Sequence, residues 1–195
     1  MVFYLLPTVL VSYPSVNVGG NTQRITLRDK AIDWLSIANK LHGSWSMVWL
    51  VLFNSNINDA VVLKLGLNWL KTTPSTSGPW PQVLLSILKN EQVDRDLTKL
   101  ARVWLEQNPF HIYFWSQIWL LLFNIGFKDE EFIELAIHWL KQPKTITDSN
   151  WPDVWLKISD LHSDKSINDL GQKWIHENDA TGPLWAKILT KIVKT

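Results

Sequence analysis

The chain has 195 residues, of which 46% are hydrophobic and 19% charged, with a formal net charge of +1 and no cysteine. That composition is too apolar for a disordered chain and long enough for one ordinary domain or a modest repeat array. It excludes disulfides, zinc thiolates and a cysteine nucleophile, and a charge so near zero supplies no field to attract a polyanion.

Residues 1–24 open the chain as MVFYLLPTVLVSYPSVNVGGNTQR. The apolar run is short, holds Pro7, and is preceded by no basic residue, the first being Arg24. A secretory signal requires a positive n-region and a small-residue cleavage site. The segment therefore reads as non-repeat chain that packs over the first repeat as a cap. No stretch of the sequence reaches the roughly 18 charge-free apolar residues of a membrane-spanning helix. The lack of cysteine fits a reducing compartment, so the expected location is cytoplasmic.

From residue 25 to 195 the tryptophans keep a period. Trp34, Trp69, Trp104, Trp139 and Trp174 are each 35 residues apart, and each is followed by Leu or Ile. Three residues before each lies Ala31, Gly66, Ala101, Ala136 or Gly171, and seven before lies Leu27, Val62, Leu97, Phe132 or Ile167. Offsets of 3 and 7 trace one face of a helix. Ten residues before the tryptophan come Asp59, Asp94, Asp129 and Asp164, suited to cap a helix start by accepting backbone N–H bonds. The first repeat has Arg24 there, so its helix is expected to start at Thr26.

A second series, Trp45, Trp80, Trp115, Trp151 and Trp185, follows 11 residues after the first, or 12 in the fourth repeat. Four residues further on stand Trp49, Leu84, Trp119, Trp155 and Leu189. Trp115, Ile118, Trp119 and Leu122 again trace one helical face. Pro81 and Pro152 follow the tryptophan directly, in a first turn where a missing N–H costs nothing. Asn54, Asn90 and Asn124 stand near the expected ends, as residues that tolerate a left-handed stop. Helices of about 10 to 12 residues result, with loops rich in Pro, Gly, Ser and Thr. The second helices of repeats one and three, WSMVWLVLF and WSQIWLLLF, are apolar nearly all round, as expected of helices packed on both sides.

The pattern predicts an all-α fold, a short right-handed α-solenoid of about five helical hairpins spanning residues 25–195. Aromatic crowding, as in ARVWLEQNPFHIYFWSQIWLLLF, is then core rather than a ligand cage, because regular spacing is a packing signature. The period is close to that of tetratricopeptide repeats, and the chain is TPR-like, although its small residue precedes the tryptophan. The residues Ala101, Trp104-Leu105, Asn108-Pro109, His111, Trp115, Ile118, Trp119 and Leu121-Leu122 resemble the degenerate helical repeats of bacterial signalling NTPases of the STAND and NACHT type. The resemblance covers residues 25 to 195 and implies a sensor array that recognises a protein or another trigger. The chain has no GxxxxGK[ST] motif, so an array detached from its NTPase is what the resemblance implies.

The five histidines, His42, His111, His138, His162 and His176, show no metal-ligand spacing. His111 falls in a loop and reads as a capping or solvated side chain. Asp129, Glu130, Glu131 and Glu134 occupy a helix start, where acids suit the dipole. Lys187, Lys191 and Lys194 read as a solvated stripe. No GxSxG, GxGxxG or paired-carboxylate motif appears, so the expectation is a non-enzymatic chain with no cofactor and no metal.

Two function classes follow. The first is an interaction scaffold whose exposed helix faces bind a protein or peptide. The second is a HEAT-like helical-repeat DNA-binding protein or DNA glycosylase, which needs a basic groove and a catalytic carboxylate in an open pocket. The even scatter of Lys and Arg favours the scaffold. The flank that the core leaves free lies one, five and eight residues before each first tryptophan. It reads Asp29 and Asp33, Lys64 and Asn68, Lys99 and Val103, Glu134 and His138, Asp169 and Lys173. These ten residues are the candidate partner-binding site.

Overall fold

The computed structural model describes residues 26–41, 43–90, 95–109, 111, 113–162, 164–178 and 182–194. The proposed cap at 1–24 and the proposed helix cap Asp94 lie outside the described residues. Ten α-helices are described: α1 (Leu27–Ile37), α2 (Gly43–Ser55), α3 (Ala60–Thr72), α4 (Trp80–Leu88), α5 (Arg95–Gln107), α6 (Trp115–Asn124), α7 (Glu130–Leu140), α8 (Trp151–Ser159), α9 (Lys165–Glu177) and α10 (Pro183–Val193). A 3-10 turn at Thr145–Thr147 precedes α8. Among the described residues there is no strand. The helices pack in neighbouring pairs, α1 with α2 through to α9 with α10, and the result is a helical repeat-like all-α protein.

Helix starts follow the capping logic. Asp59 accepts from the Val61 and Val62 amides, Asp129 from Phe132, and Asp164 from Ser166 and Ile167. Thr26 opens α1 with a reciprocal capping box, its hydroxyl accepting from Asp29 N–H and its own N–H donating to the Asp29 carboxylate. Proline occupies the first turn of α4, α8 and α10. Helices run from 9 to 13 residues, a wider spread than the sequence suggests. Asn90 does more than end a helix: its side-chain amide donates to the Ile57 carbonyl one repeat earlier. After α6 the left-handed position falls on Gly126, at φ 110°, rather than on Asn124.

The tryptophans pack by two rules. Between pairs, the tryptophan of a second helix stacks on the first-helix tryptophan of the next pair: Trp45 on Trp69, Trp80 on Trp104, Trp115 on Trp139 and Trp151 on Trp174. Ring centroids are 5.1 to 6.3 Å apart and the planes lie within 15° of parallel. Within each pair, the same second-helix indole N–H donates to a backbone carbonyl in the last turn of the preceding helix. Trp45 donates to Leu35, Trp80 to Leu70, Trp115 to Leu105, Trp151 to Leu140 and Trp185 to Ile175. Those carbonyls have no intrahelical partner, so the indole caps the helix C-terminus from inside the core. The extra residue of the fourth repeat lies in the loop, and the bond is kept.

The third tryptophan position explains the small residues. Trp49, Trp119 and Trp155 donate to the carbonyls of Val62, Phe132 and Ile167 in the next pair, at 2.7, 3.1 and 2.8 Å. Each of those carbonyls belongs to the residue four before the small residue. A large side chain one turn on would cover it. Gly66 and Gly171 sit directly under Trp49 and Trp155. Where the position is Leu84, the small residue at the matching register of the next pair is Ala101.

Three expectations are corrected. First, Trp34 is 37% exposed, whereas Trp69, Trp104, Trp139 and Trp174 are buried. It has no preceding tryptophan to stack on, so the same residue type in the same register loses its cover. Second, the apolar girth of α2 is not packed on both sides, because Met47 and Val51 are exposed. Third, His111 is not freely solvated but partly buried. Its ring packs between Trp104 and Phe114, 5.3 and 5.5 Å away, and Nδ1 is buried without a hydrogen-bond partner.

Candidate partner-binding site

The positions one and five residues before each first tryptophan lie on α1, α3, α5, α7 and α9, pointing away from the facing pair. Packing the small residue and the tryptophan inward turns this flank outward. Asp33, Lys64, Asn68, Lys99, Val103, Glu134, His138, Asp169 and Lys173 are all exposed, and Asp29 is half-buried. The Asp29 carboxylate is already engaged by Thr26 and by Arg28, and the Thr26 hydrogen bonds hold it below the ordinary carboxylate range. Lys173 pairs with Glu177 one turn on, at 3.8 Å. His138 meets the side chain of Gln142 at 3.2 Å.

Two open surface grooves run along this layer. One is lined by Lys71, Asp96, Lys99, Leu100 and Val103, between the end of α3 and the start of α5. The other lies over α7 and is lined by Glu130, Glu131, Glu134, Leu135 and His138. The first joins a lysine pair and one acid to an apolar floor; the second is acidic. The structure thus brings Lys99 together with Val103 and Glu134 together with His138. It leaves the candidates of different repeats as separate stations along the stack.

The same layer is braced by ion pairs that the sequence pattern does not announce. Arg28 of α1 reaches Asp59, the cap of α3, with Nε 2.8 Å from the carboxylate. That bond holds the Asp59 carboxyl below its ordinary range. Arg102 of α5 contacts Asp129 at 3.0 Å, Glu131 at 2.8 Å and Glu106 at 3.2 Å. Partial burial pushes the Asp129 carboxyl up, but the Arg102 and Phe132 hydrogen bonds prevail and keep it low. Asp129 and Glu131 at the start of α7 therefore serve the fold before any ligand.

A buried polar knot lies in the fourth-repeat loop. Asp148 accepts from Ser116 Oγ at 3.1 Å and from the Asn150 amide at 2.8 Å. Burial raises its carboxyl above the ordinary range. All of its neighbours are loop or helix-start groups, and the knot fastens the longer loop to α6. A third groove, between α8 and α10, is lined by Leu156, Ala186, Thr190 and the three lysines 187, 191 and 194. Lys191 there bonds Asp160 at 2.7 Å, so the stripe is partly neutralised. Among the described residues, no group of three His, Asp or Glu could hold a metal ion, and no helix is long and apolar enough to cross a membrane.

No family model, curated protein or solved structure matches this chain.

Proposed function

We propose that this chain is a non-enzymatic protein- or peptide-binding scaffold, a short right-handed α-solenoid of about five helical hairpins. In this reading it serves as a cytoplasmic sensor array of a signalling or defence system. One observation carries the proposal. The flank residues of the first helices stand at regular 35-residue stations on a buried tryptophan core, yet their chemistry does not repeat. Acid, base, amide, apolar and imidazole side chains are offered in turn. Regular spacing with irregular chemistry suits an extended partner read at several points. The grooves holding Lys99 with Val103 and Glu134 with His138 would supply two of those points.

The test is selection of peptides from a random display library on the immobilised chain. The wild type is expected to enrich a consensus carrying acidic residues to meet Lys64 and Lys99. The Lys64→Glu, Lys99→Glu, Lys173→Glu triple variant should lose that consensus, while a Lys89→Glu control on the second-helix layer keeps it. Exposed substitutions of this kind usually change stability by no more than about 0.5 kcal/mol, so the fold survives. A consensus unaffected by the triple reversal, or none at all, would sink the proposal. Salt-dependent binding of a labelled DNA duplex instead would favour the helical-repeat DNA-binding alternative.

A further inference from the structure

Each helix pair presents two different faces to its neighbours. The face toward the following pair carries the second-helix tryptophan and the residue four positions on. The face toward the preceding pair carries the first-helix tryptophan, the small residue three before it and the apolar residue seven before it. The two faces fit together four times within the chain, through the four tryptophan stacks. At the ends of the described stack each half-interface is left open. At the head, Leu27 is 67% exposed, while its counterparts Val62, Leu97, Phe132 and Ile167 are at most 1% exposed. Trp34 shares that face. At the tail, Leu189 is 37% and Val193 78% exposed, whereas Trp49, Leu84, Trp119 and Trp155, the counterparts of Leu189, are fully buried. Trp185 is only half-buried.

The open halves also match in size. Within the chain, Trp49 and Trp155 meet glycines, and the same register matches Leu84 with Ala101 and Trp119 with Ala136. The unpaired tail residue is Leu189 and the unpaired head residue is Ala31, the leucine–alanine combination already used between the second and third repeats.

We propose that the tail of one copy docks onto the head of another, with Trp185 stacking on the partner copy's Trp34 and Leu189 covering its Ala31. The interface continues the internal stack in register. Head and tail are different surfaces, so each copy keeps one free end and the assembly is an open chain rather than a closed dimer. The rival occupant of the head is the chain's own segment 1–25. That segment contains no tryptophan to take the place of Trp185 over Trp34.

Sedimentation velocity of the full 195-residue chain over a concentration series tests this. The expected result is an average mass that climbs past the dimer as concentration rises. Leu189→Glu disables the tail and Leu27→Glu the head, so each variant alone should be monomeric. Both side chains are exposed, and far-UV circular dichroism verifies that the variants stay folded. An equimolar mixture of the two variants retains one live tail and one live head, and should yield heterodimers and nothing larger. A wild-type chain that stays monomeric at every concentration overturns the proposal. So does assembly that persists in Leu189→Glu, or a mixture that grows beyond the dimer. If only a chain lacking residues 1–25 assembles, the head is covered by its own N-terminal segment and the proposal fails for the intact chain.

Discussion

The Trp49 indole abuts Gly66 with its Nε1–Cε2–Cζ2 edge: a Cβ built on that glycine would stand 2.3 Å from Trp49 Cζ2. Contact that close does not occur between real atoms, so the glycine is there for the ring. The indole N–H meanwhile donates 2.7 Å to the Val62 carbonyl, one turn before Gly66. Glycine is a poor mid-helix residue, about 0.5–1 kcal/mol worse than alanine. Its presence in α3 is explained by tertiary contact and not by helix preference.

Gly66→Ala should therefore destabilise the fold, by about 1–3 kcal/mol of overpacking, despite its gain in helix propensity. In the fourth repeat the equivalent position is Ala136, and there the Trp119 bond to the Phe132 carbonyl is 3.1 Å. Trp49→Leu should absorb much of the added methyl, recreating the Leu84–Ala101 combination. Urea denaturation of both single variants and the double variant gives the coupling. A favourable coupling of about 0.5 kcal/mol or more is expected, and strict additivity would refute the contact as the cause.

Trp104→Ala should cost about 3–5 kcal/mol, as for other fully buried large aromatics. Trp104 is 1% exposed and stacks on Trp80 at 6.3 Å. Trp34→Ala, at the same sequence register, should cost clearly less, because Trp34 is already 37% exposed and has no preceding indole above it. Equal losses for the two variants in chemical denaturation would mean that the head of the stack is sealed in solution.

His111 gives the stability a pH dependence of known sign. Burial between Trp104 and Phe114 lowers its pKa below the ordinary 6.5. In the window between the lowered native pKa and about 6.5, the unfolded chain holds the proton and the native chain does not. Stability contributed by the neutral ring is complete above about 6.5 and is lost as pH falls through that window. His111→Phe keeps the ring packing and removes the titration, so the stability difference between variant and wild type should widen in the variant's favour on acidification from pH 7. Parallel profiles of melting temperature against pH would show that His111 does not titrate as its burial requires.

What the sequence could show about this protein was repetition. Trp69, Trp104 and Trp139 recur at one spacing because each fills the same gap between neighbouring pairs, and a repeated contact selects a repeated residue. Asp59, Asp129 and Asp164 were legible for a related reason: a helix start exposes unpaired N–H groups, and a short acid answers them locally, whatever the rest of the fold does. The exposed flank from Lys64 to Lys173 could also be located, since a helix with one face in the core must turn another outward.

The tertiary structure alone decided the rest. Leu27 and Val62 hold equivalent places in the repeat, yet one is 67% exposed and the other 1%. Burial is a property of having a neighbour, and no sequence position carries its neighbour with it. The indole N–H bonds to backbone carbonyls were equally hidden, because any residue supplies a carbonyl and only packing determines which one lies within 3.1 Å of Trp115 or Trp119. The same holds for Arg28 and Arg102, whose partners Asp59 and Asp129 stand 31 and 27 residues away. Local chemistry set where helices begin and which face turns inward; the meeting of successive pairs determined which polar groups are satisfied and which apolar faces remain open.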